Sequence, residues 1–328
     1  QGKVGNCWLI AAMSALAEFP REVERIFLRN GLRERDGRYV LQLFDHKRAC
    51  ESGLREVTVD EFVPCRRRHW WENEAEPCFA KPNGNELWCL VLEKAMAKVF
   101  GSYGELVGGT PSAAFRALTG VREQLMWARK AGAWEQSVLA DGEVCRFSYP
   151  SRGRESKGAD EFFNYLRECD GKNYLLAASI AGQREDMRAD GLVEGHAYTV
   201  IHVQEIALPG GPRLRLLELR NPWGNDKKWN GAWSDRHVLW KKHEEVHRQL
   251  RPSFQDDGRF WMSWEDFSRI FTTLYVSCKA MREGEEAKQH SLASMDWKSL
   301  RPPKPTPKPP SHSLRPPGLK VDSGMELL

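Results

Sequence analysis

QGKVGNCWLIAA, residues 1–12, is the stretch around which the predicted fold of this chain is organised. Cys7 follows two glycines and opens an apolar run that reaches Leu16 without Gly or Pro, which predicts a buried helix beginning at the cysteine. The positive end of a helix and its free amide groups favour an anion in the first turn, so the Cys7 thiol can ionise near neutral pH, particularly beside an imidazolium. Packing as a small hydrophobic core residue is the alternative role for this cysteine.

Two later stretches supply the groups that a reactive cysteine needs. His196 opens an apolar, β-branched run that predicts a buried strand, and Asn221 follows an alternating run over residues 213–220 that ends before a proline. A cysteine nucleophile, a histidine base and an asparagine that orients the imidazole, in this chain order, are typical of the papain-type arrangement. Gln1 adds a side-chain amide that can hold an oxyanion together with the Cys7 N–H.

Six blocks of the chain resemble the protease core of the calpain family, in the order and rough spacing of that family. They are residues 1–12, 92–95, 195–198, 220–224, 231–235 and 257–263, and the resemblance extends from residue 1 to about residue 282. It implies an α+β, two-lobed papain-like fold with a helical first lobe and a β-sheet second lobe. Asn6 departs from the family pattern, which usually has Asp beside the nucleophile.

The resemblance also implies an intracellular cysteine endopeptidase of the calcium-dependent type that makes limited cuts in protein substrates. Its catalytic residues would be Cys7, His196, Asn221 and Gln1, the last of them in the oxyanion hole. Trp223 is expected to shield the pair formed by the histidine and the asparagine from water. Trp223 and Gly195 are also expected to lie at the substrate-binding site.

Two other functions fit part of the pattern. One is a catalytically silent interaction module that keeps the fold, although such a scaffold has no need to retain all four catalytic residues. The other is acyl transfer to an amine, as in transglutaminases, which use a cysteine and a histidine on a related fold. Those enzymes usually complete the triad with Asp, so Asn221 favours proteolysis.

Calcium positions follow from the resemblance as well. In family members whose core is gated by calcium, each lobe binds one ion in an acidic loop, because this hard cation requires oxygen ligands. Glu86 falls on a ligand position of the first lobe, but its partner ligands would lie upstream of Gln1, so calcium is possible there only at an incomplete site. In the second lobe Asp235 and Asp257 fall on ligand positions, together with the Gln255 carbonyl.

Two cationic residues stand where the family has acidic ligands in the second lobe. They are Lys228 and Arg259, and a calcium ion would face both at contact range, where like charges repel. We therefore expect this site to be lost, with Lys228 and Arg259 paired to Asp235 and Asp257 in place of the ion. Four exposed charges without fixed pairing are the alternative, since surface pairs often contribute only ~0–1 kcal/mol.

Length, pattern and charge divide the chain into three predicted parts. Its 328 residues suit two domains of moderate size, and the helical pattern gives way to strands near Gly120, which predicts lobes over residues 1–121 and 122–282. Residues 283–328 form a Pro-rich basic tail that we expect to be disordered. The net charge of +4 lies in residues 297–328, with six Lys and Arg against two Asp and Glu, so no nucleic-acid-binding face is expected.

The tail, the cysteines and the hydropathy predict partners and location. Two P-x-x-P spacings, 302–305 and 307–310, can dock an SH3-like partner, and a solvated tail is the alternative. Eight scattered cysteines without a C-x-x-C pair are typical of free thiols in a reducing compartment, which predicts a cytoplasmic protein. No apolar run approaches the ~20 residues of a membrane span. The chain begins with Gln, so we expect sequence upstream of it, and targeting signals cannot be read.

Overall fold

A computed structural model describes most of the chain up to residue 282. The described residues are 1–2, 5–29, 36–45, 53–66, 76–82, 86–121, 123–139, 153–208, 210–211, 213–225 and 227–282. The predicted tail over residues 283–328, with its two P-x-x-P spacings, lies outside them, so the tail and its SH3-like partner stay predictions.

The described residues contain both helices and strands. The helices are α1 (Cys7–Ala17), α2 (Pro20–Ile26), α3 (Trp88–Phe100), α4 (Pro111–Thr119), α5 (Ala159–Gly171), α6 (Leu239–Lys242), α7 (Glu244–Leu250) and α8 (Trp264–Ile270). The strands outside the largest sheet are β1 (Phe27–Arg29), β2 (Arg38–Phe44), β3 (Leu54–Asp60), β4 (Cys65–Arg66), β5 (Glu76–Pro77), β10 (Asp186–Met187) and β11 (Val193–Glu194). None of the helices in this part of the chain is both long enough and apolar enough to cross a membrane.

The other eight strands of the described residues form one antiparallel sheet. In spatial order they are β14 (Arg259–Ser263), β13 (Arg213–Arg220), β12 (His196–Ala207), β9 (Leu175–Ile180), β15 (Thr273–Ser277), β6 (Gln124–Lys130), β7 (Ala133–Leu139) and β8 (Gly153–Lys157). The strand β12 lies between β13 and β9, with His196 opposite Ile180 and Thr199 opposite Arg220. His196 therefore begins a strand that pairs with neighbours on both sides. Asn221 is the first residue after the end of β13, the neighbouring strand.

Both faces of the sheet are covered around the first half of β12, and the first six residues of the strand are all buried. Successive side chains point to opposite faces, so Ala197 belongs to the hydrophobic cluster around α1, whereas Tyr198 belongs to the cluster on the other face. The alanine at this position leaves room for α1 to pack closely against the sheet. The Thr199 hydroxyl donates to the Ala11 carbonyl at 2.7 Å and ties the helix to the strand.

The helix α1 is buried along nearly its whole length because its sequence is apolar on all sides. Trp8 anchors its first turn by donating from Nε1 to the Leu106 carbonyl at 2.9 Å. The backbone passes so close to the indole that a Cβ on Gly109 would lie 2.5 Å from it, which requires glycine there. These contacts fix the position of Cys7, one residue before Trp8.

The structure has the predicted α+β class, and its first 121 residues contain strands as well as the predicted helices. The strands β1, β2 and β3 form a separate antiparallel sheet in that region. The cluster around α1 also contains Leu175, Ala197 and Tyr275 from the large sheet, so it draws on both of the predicted lobes. The division into lobes over residues 1–121 and 122–282 stays a prediction.

Candidate active site

Cys7 is the first residue of α1, as predicted, and a buried hydrogen-bond network fixes the chain just before it. Asn6 Nδ2 donates to Glu93 Oε1 at 2.7 Å, and Glu93 Oε2 accepts the main-chain N–H of Ala80 at 2.9 Å. Asn6 and Glu93 are 1% and 2% exposed. A side-chain amide suits this position because it donates to the buried carboxylate, and this gives the departure at Asn6 a structural reason.

His196 and Asn221 lie in hydrogen-bond contact. His196 Nε2 is 2.9 Å from Asn221 Oδ1, and Asn221 is itself held by donating from Nδ2 to the Lys227 carbonyl at 2.8 Å. Both residues are buried, with His196 1% and Asn221 0% exposed. Because the asparagine is fixed by its own partner, it can fix the orientation of the imidazole ring.

The two predicted substrate-site residues flank His196. The Trp223 ring lies 5.2 Å from the imidazole between centroids, and its main-chain N–H donates to Asn221 Oδ1 at 3.0 Å. Gly195, which precedes the histidine, has a φ of 62°, in the left-handed region that favours glycine. Trp223 thus packs against the pair that it is expected to shield, while the contact of either residue with substrate stays a prediction.

Glu185 also lies in this site, and the sequence analysis did not predict it. Its Oε1 is 2.7 Å from His196 Nδ1 and accepts a hydrogen bond from Gln1 Nε2 at 3.3 Å. The Cys7 thiol also hydrogen-bonds the Glu185 carboxylate. One carboxylate therefore contacts three of the four residues predicted to be catalytic.

Two glycines allow the loop between β9 and β10 to bring Glu185 to the histidine. A Cβ on Gly195 would lie 2.4 Å from the Arg184 carbonyl oxygen, and a Cβ on Gly182 would lie 2.4 Å from the Gly195 nitrogen. The two backbone segments can approach this closely only without side chains at these positions. The sequence signal was a glycine three residues before an acidic residue and a second glycine directly before the histidine.

The electrostatics around Cys7 favour the neutral thiol. Burial raises the pKa of Cys7 to about 12, and the Glu185 carboxylate contributes in the same direction. Burial acts to raise the pKa of Glu185 too, but hydrogen bonding and charge attraction from His196 outweigh it and hold that pKa below its usual range. The expectation that Cys7 ionises near neutral pH is therefore wrong for this arrangement. Burial and the neighbouring carboxylate raise the pKa of Cys7, and the helix terminus does not offset them.

Gln1 lies beside the other predicted catalytic residues. Its main-chain nitrogen donates to the Pro222 carbonyl at 2.7 Å, next to Asn221, and its side-chain Nε2 points to Glu185. The side-chain amide of Gln1 is thus present where the predicted oxyanion hole requires a donor. In this structure it donates to the Glu185 carboxylate instead. Its role in an oxyanion hole stays a prediction.

The predicted calcium positions are only partly arranged as expected. Lys228 Nζ contacts the Asp235 carboxylate, as predicted, and donates to the Gln255 carbonyl at 2.7 Å. The lysine side chain is 7% exposed, so this is not a loose surface pair. The ammonium group therefore binds two of the oxygen groups that were predicted as calcium ligands.

The predicted pairing of Arg259 with Asp257 is wrong. Arg259 Nε instead lies 3.0 Å from Glu218 Oε1, on the neighbouring strand β13. Asp257 accepts the main-chain N–H of Arg259 at 2.9 Å, which closes a local turn. In the first part of the chain, Glu86 lies half-buried just before α3, and its role as a calcium ligand stays a prediction.

Comparison with known proteins gives consistent matches over the same region. A family model described as "Calpain family cysteine protease" matches residues 1–279. The chain is 33% identical over 279 residues to "Calpain-type cysteine protease DEK1" of Zea mays, covering 84% of this chain and 11% of that protein. It is 30% identical over 315 residues to "Calpain-5" of Mus musculus, covering 88% and 45%. "Calpain-12" of Homo sapiens is 32% identical over 283 residues, covering 84% and 33%. The chain thus spans less than half the length of these relatives.

Proposed function

Because the chain belongs to the calpain family of cysteine proteases, we propose that it is an endopeptidase that makes limited cuts in protein substrates through Cys7, His196 and Asn221. The observation that carries the proposal is the 2.9 Å contact between His196 Nε2 and Asn221 Oδ1, beside the helix terminus that bears Cys7. The activity, substrates and cytoplasmic location of the whole protein belong to the same proposal, since the chain matches only part of its relatives.

Asn221 selects the nitrogen of His196 that acts on the sulfur. Its Oδ1 accepts the Nε2 proton, so Nδ1 of the neutral ring presents a lone pair to Cys7. Nδ1 takes the thiol proton, the sulfur attacks the peptide carbonyl carbon, and Nδ1 returns the proton to the leaving amine as the C–N bond breaks. Water then hydrolyses the thioester, which releases the acid and restores the thiol. Gln1 Nε2 and the Cys7 N–H would stabilise the oxyanion formed in both steps.

Glu185 must withdraw before this reaction can begin. Its carboxylate engages His196 Nδ1 and Gln1 Nε2, which are the two groups that the mechanism assigns to proton transfer and to the oxyanion. It therefore lies where the mechanism requires the substrate carbonyl, and it adds to the effect of burial in keeping the cysteine protonated. The described arrangement corresponds to a closed form, and the loop between β9 and β10 is the segment that would move to open it.

Product analysis distinguishes this function from the two alternatives. Incubation of the chain with an unfolded protein substrate should give fragments with new amino termini, identified by mass spectrometry. Covalent crosslinks in place of fragments would support acyl transfer to an amine, which Asn221 disfavours because that class usually has Asp. An unchanged substrate under conditions that open the site would support a silent interaction module.

We also propose that Lys228 replaces a calcium ion in its loop. A divalent ion bound by Asp235 and the Gln255 carbonyl would have to displace an ammonium group that already contacts both. Removing one partner of a buried ion pair is costly because the other charge is left uncompensated. The loop would therefore be held without calcium, and any calcium requirement would arise elsewhere in the whole protein.

Reversing the charge of Lys228 should create calcium binding where the wild-type chain has none. Lys228→Glu is expected to lower the free energy of unfolding by about 3–5 kcal/mol without calcium, because Asp235 loses its partner and faces a second carboxylate, and to regain stability when calcium is added. Calorimetric titration and thermal unfolding of the chain measure both effects. Lys227→Glu is the matched control, since its side chain is exposed and the change in net charge is identical. An equally strong calcium-binding step at this loop in the wild-type chain would contradict the proposal.

A further inference from the structure

Three side chains that can act as metal ligands meet at Cys7. Cys7 Sγ, a Glu185 carboxylate oxygen and a His196 ring nitrogen lie within 4.8 Å of one another. His196 Nδ1 and Glu185 Oε1 are only 2.7 Å apart. This is a hydrogen-bond distance, with a proton between the two atoms. A metal ion that replaced the proton would hold the nitrogen and the oxygen somewhat further apart, because its bonds to them are about 2.0–2.2 Å long.

Each of these three side chains is held in place by a neighbouring part of the protein, as metal ligands usually are. A metal-binding histidine typically donates its other ring N–H to a carbonyl or carboxylate, which fixes the tautomer, and Asn221 Oδ1 accepts from His196 Nε2 at 2.9 Å. Glu185 is held by Gln1 Nε2 at 3.3 Å, and Cys7 is fixed in the first turn of α1. The three ligand groups therefore come from a helix, a strand and a loop that are already in place.

We propose that Cys7, Glu185 and His196 form a binding site for Zn²⁺ that keeps the protease inactive. A thiolate, an imidazole and a carboxylate match the preferences of zinc, whereas calcium and magnesium prefer oxygen ligands alone. Three protein ligands leave one position of a tetrahedral ion for water. The thiol releases its proton to solvent on binding, and thiolate and carboxylate then balance the charge of the ion.

The inhibitory effect follows from the sulfur and the ring nitrogen being ligands. A sulfur bound to zinc cannot attack a peptide, and Nδ1 bound to zinc cannot accept a proton. The binding of zinc depends only on the three side chains, whereas the inhibition rests on the proposed protease function. The site differs from a simple cysteine–histidine pair because Glu185 supplies a third ligand.

Zinc affinity of the reduced, metal-free chain, measured by competition with a chromophoric chelator, tests the site. Glu185→Gln should weaken zinc binding by about tenfold or more, because even the loss of groups that support metal ligands costs about 10–100-fold. Cys7→Ala should abolish the tight site. The matched controls are Glu123→Gln and Cys65→Ala, both exposed and outside the site, and they should bind zinc like the wild-type chain.

A second readout reports on Cys7 itself. Zinc should slow the alkylation of Cys7, followed by peptide mapping, and the chelator should restore the original rate. Equal zinc affinity in Glu185→Gln and the wild-type chain, or alkylation of Cys7 that zinc does not slow, would overturn the proposal. Neither readout uses a substrate, so loss of the zinc site leaves the protease function standing. A chain that binds zinc here but never cleaves protein would instead refute the protease function alone.

Discussion

Replacing Cys7 with alanine is expected to abolish cleavage of protein substrates while leaving the fold intact. The change removes the sulfur that forms the thioester, and loss of a nucleophile from a catalytic triad lowers kcat by about 10⁶-fold in a well-studied protease. Alanine is the best helix former, and it is small enough for the buried position of Cys7, which is only 8% exposed. The helix α1 should therefore persist. Fragment formation and thermal unfolding, measured on the same preparation, check both parts.

The matched control for this variant is Cys169→Ala. Cys169 is also a buried helical cysteine, 3% exposed in α5, but it belongs to the hydrophobic cluster that does not include Cys7. Its replacement should leave cleavage near the wild-type rate. Cleavage that continues in Cys7→Ala at more than a trace would remove Cys7 from the role of nucleophile, and equal loss in both variants would indicate damage to the fold.

Neutralising Glu185 should make Cys7 more reactive. The carboxylate raises the pKa of Cys7, so Glu185→Gln should lower it, and the thiolate fraction near neutral pH should rise about tenfold for each unit by which the pKa falls. We expect alkylation of Cys7 by iodoacetamide at about pH 7.5 to accelerate by about tenfold or more. Because burial is the largest cause of the raised pKa, that pKa should remain above the value of a free cysteine.

The rate is measured by peptide mapping of Cys7 against time, with the alkylation of Cys65 as an internal reference for exposed thiols. Asp186→Asn is the matched control, since it removes one negative charge from the adjacent, exposed position. Substrate cleavage should rise together with alkylation in Glu185→Gln if the carboxylate holds the site closed. An alkylation rate equal to that of the wild-type chain would show that Glu185 does not hold the sulfur in its thiol form.

The parts of the site that were predictable from the sequence depend on local patterns. The apolar run after Cys7, the β-branched run after His196 and the Asn-Pro step at Asn221 each specify a helix start, a strand start or a strand end within a few residues. The order of the three residues along the chain and the family resemblance then predict that they belong to one catalytic site. The structure places the histidine and the asparagine in contact because β12 and β13 are neighbours in the sheet.

The features that were not predicted depend on contacts between distant segments. Glu185 reaches His196 because two backbone segments touch at Gly182 and Gly195, and the two glycines are a signal of this approach only when both segments are considered together. Arg259 binds Glu218 because β14 pairs with β13 in a register that sets them diagonally across the two strands. A prediction that treated each loop separately could only pair the arginine with a nearby acidic residue.

Labelling with a peptidyl epoxide, followed by identification of the modified residue, shows whether Cys7 is the activated nucleophile of this site. Such a probe requires a substrate-like approach to the nucleophile and an activated sulfur, so its rate reports on the whole site. We predict a single label on Cys7, loss of that label in His196→Ala, and faster labelling in Glu185→Gln than in the wild-type chain. Labelling of Cys7 at equal rates in all three proteins, or labelling spread over the other cysteines, would contradict this prediction.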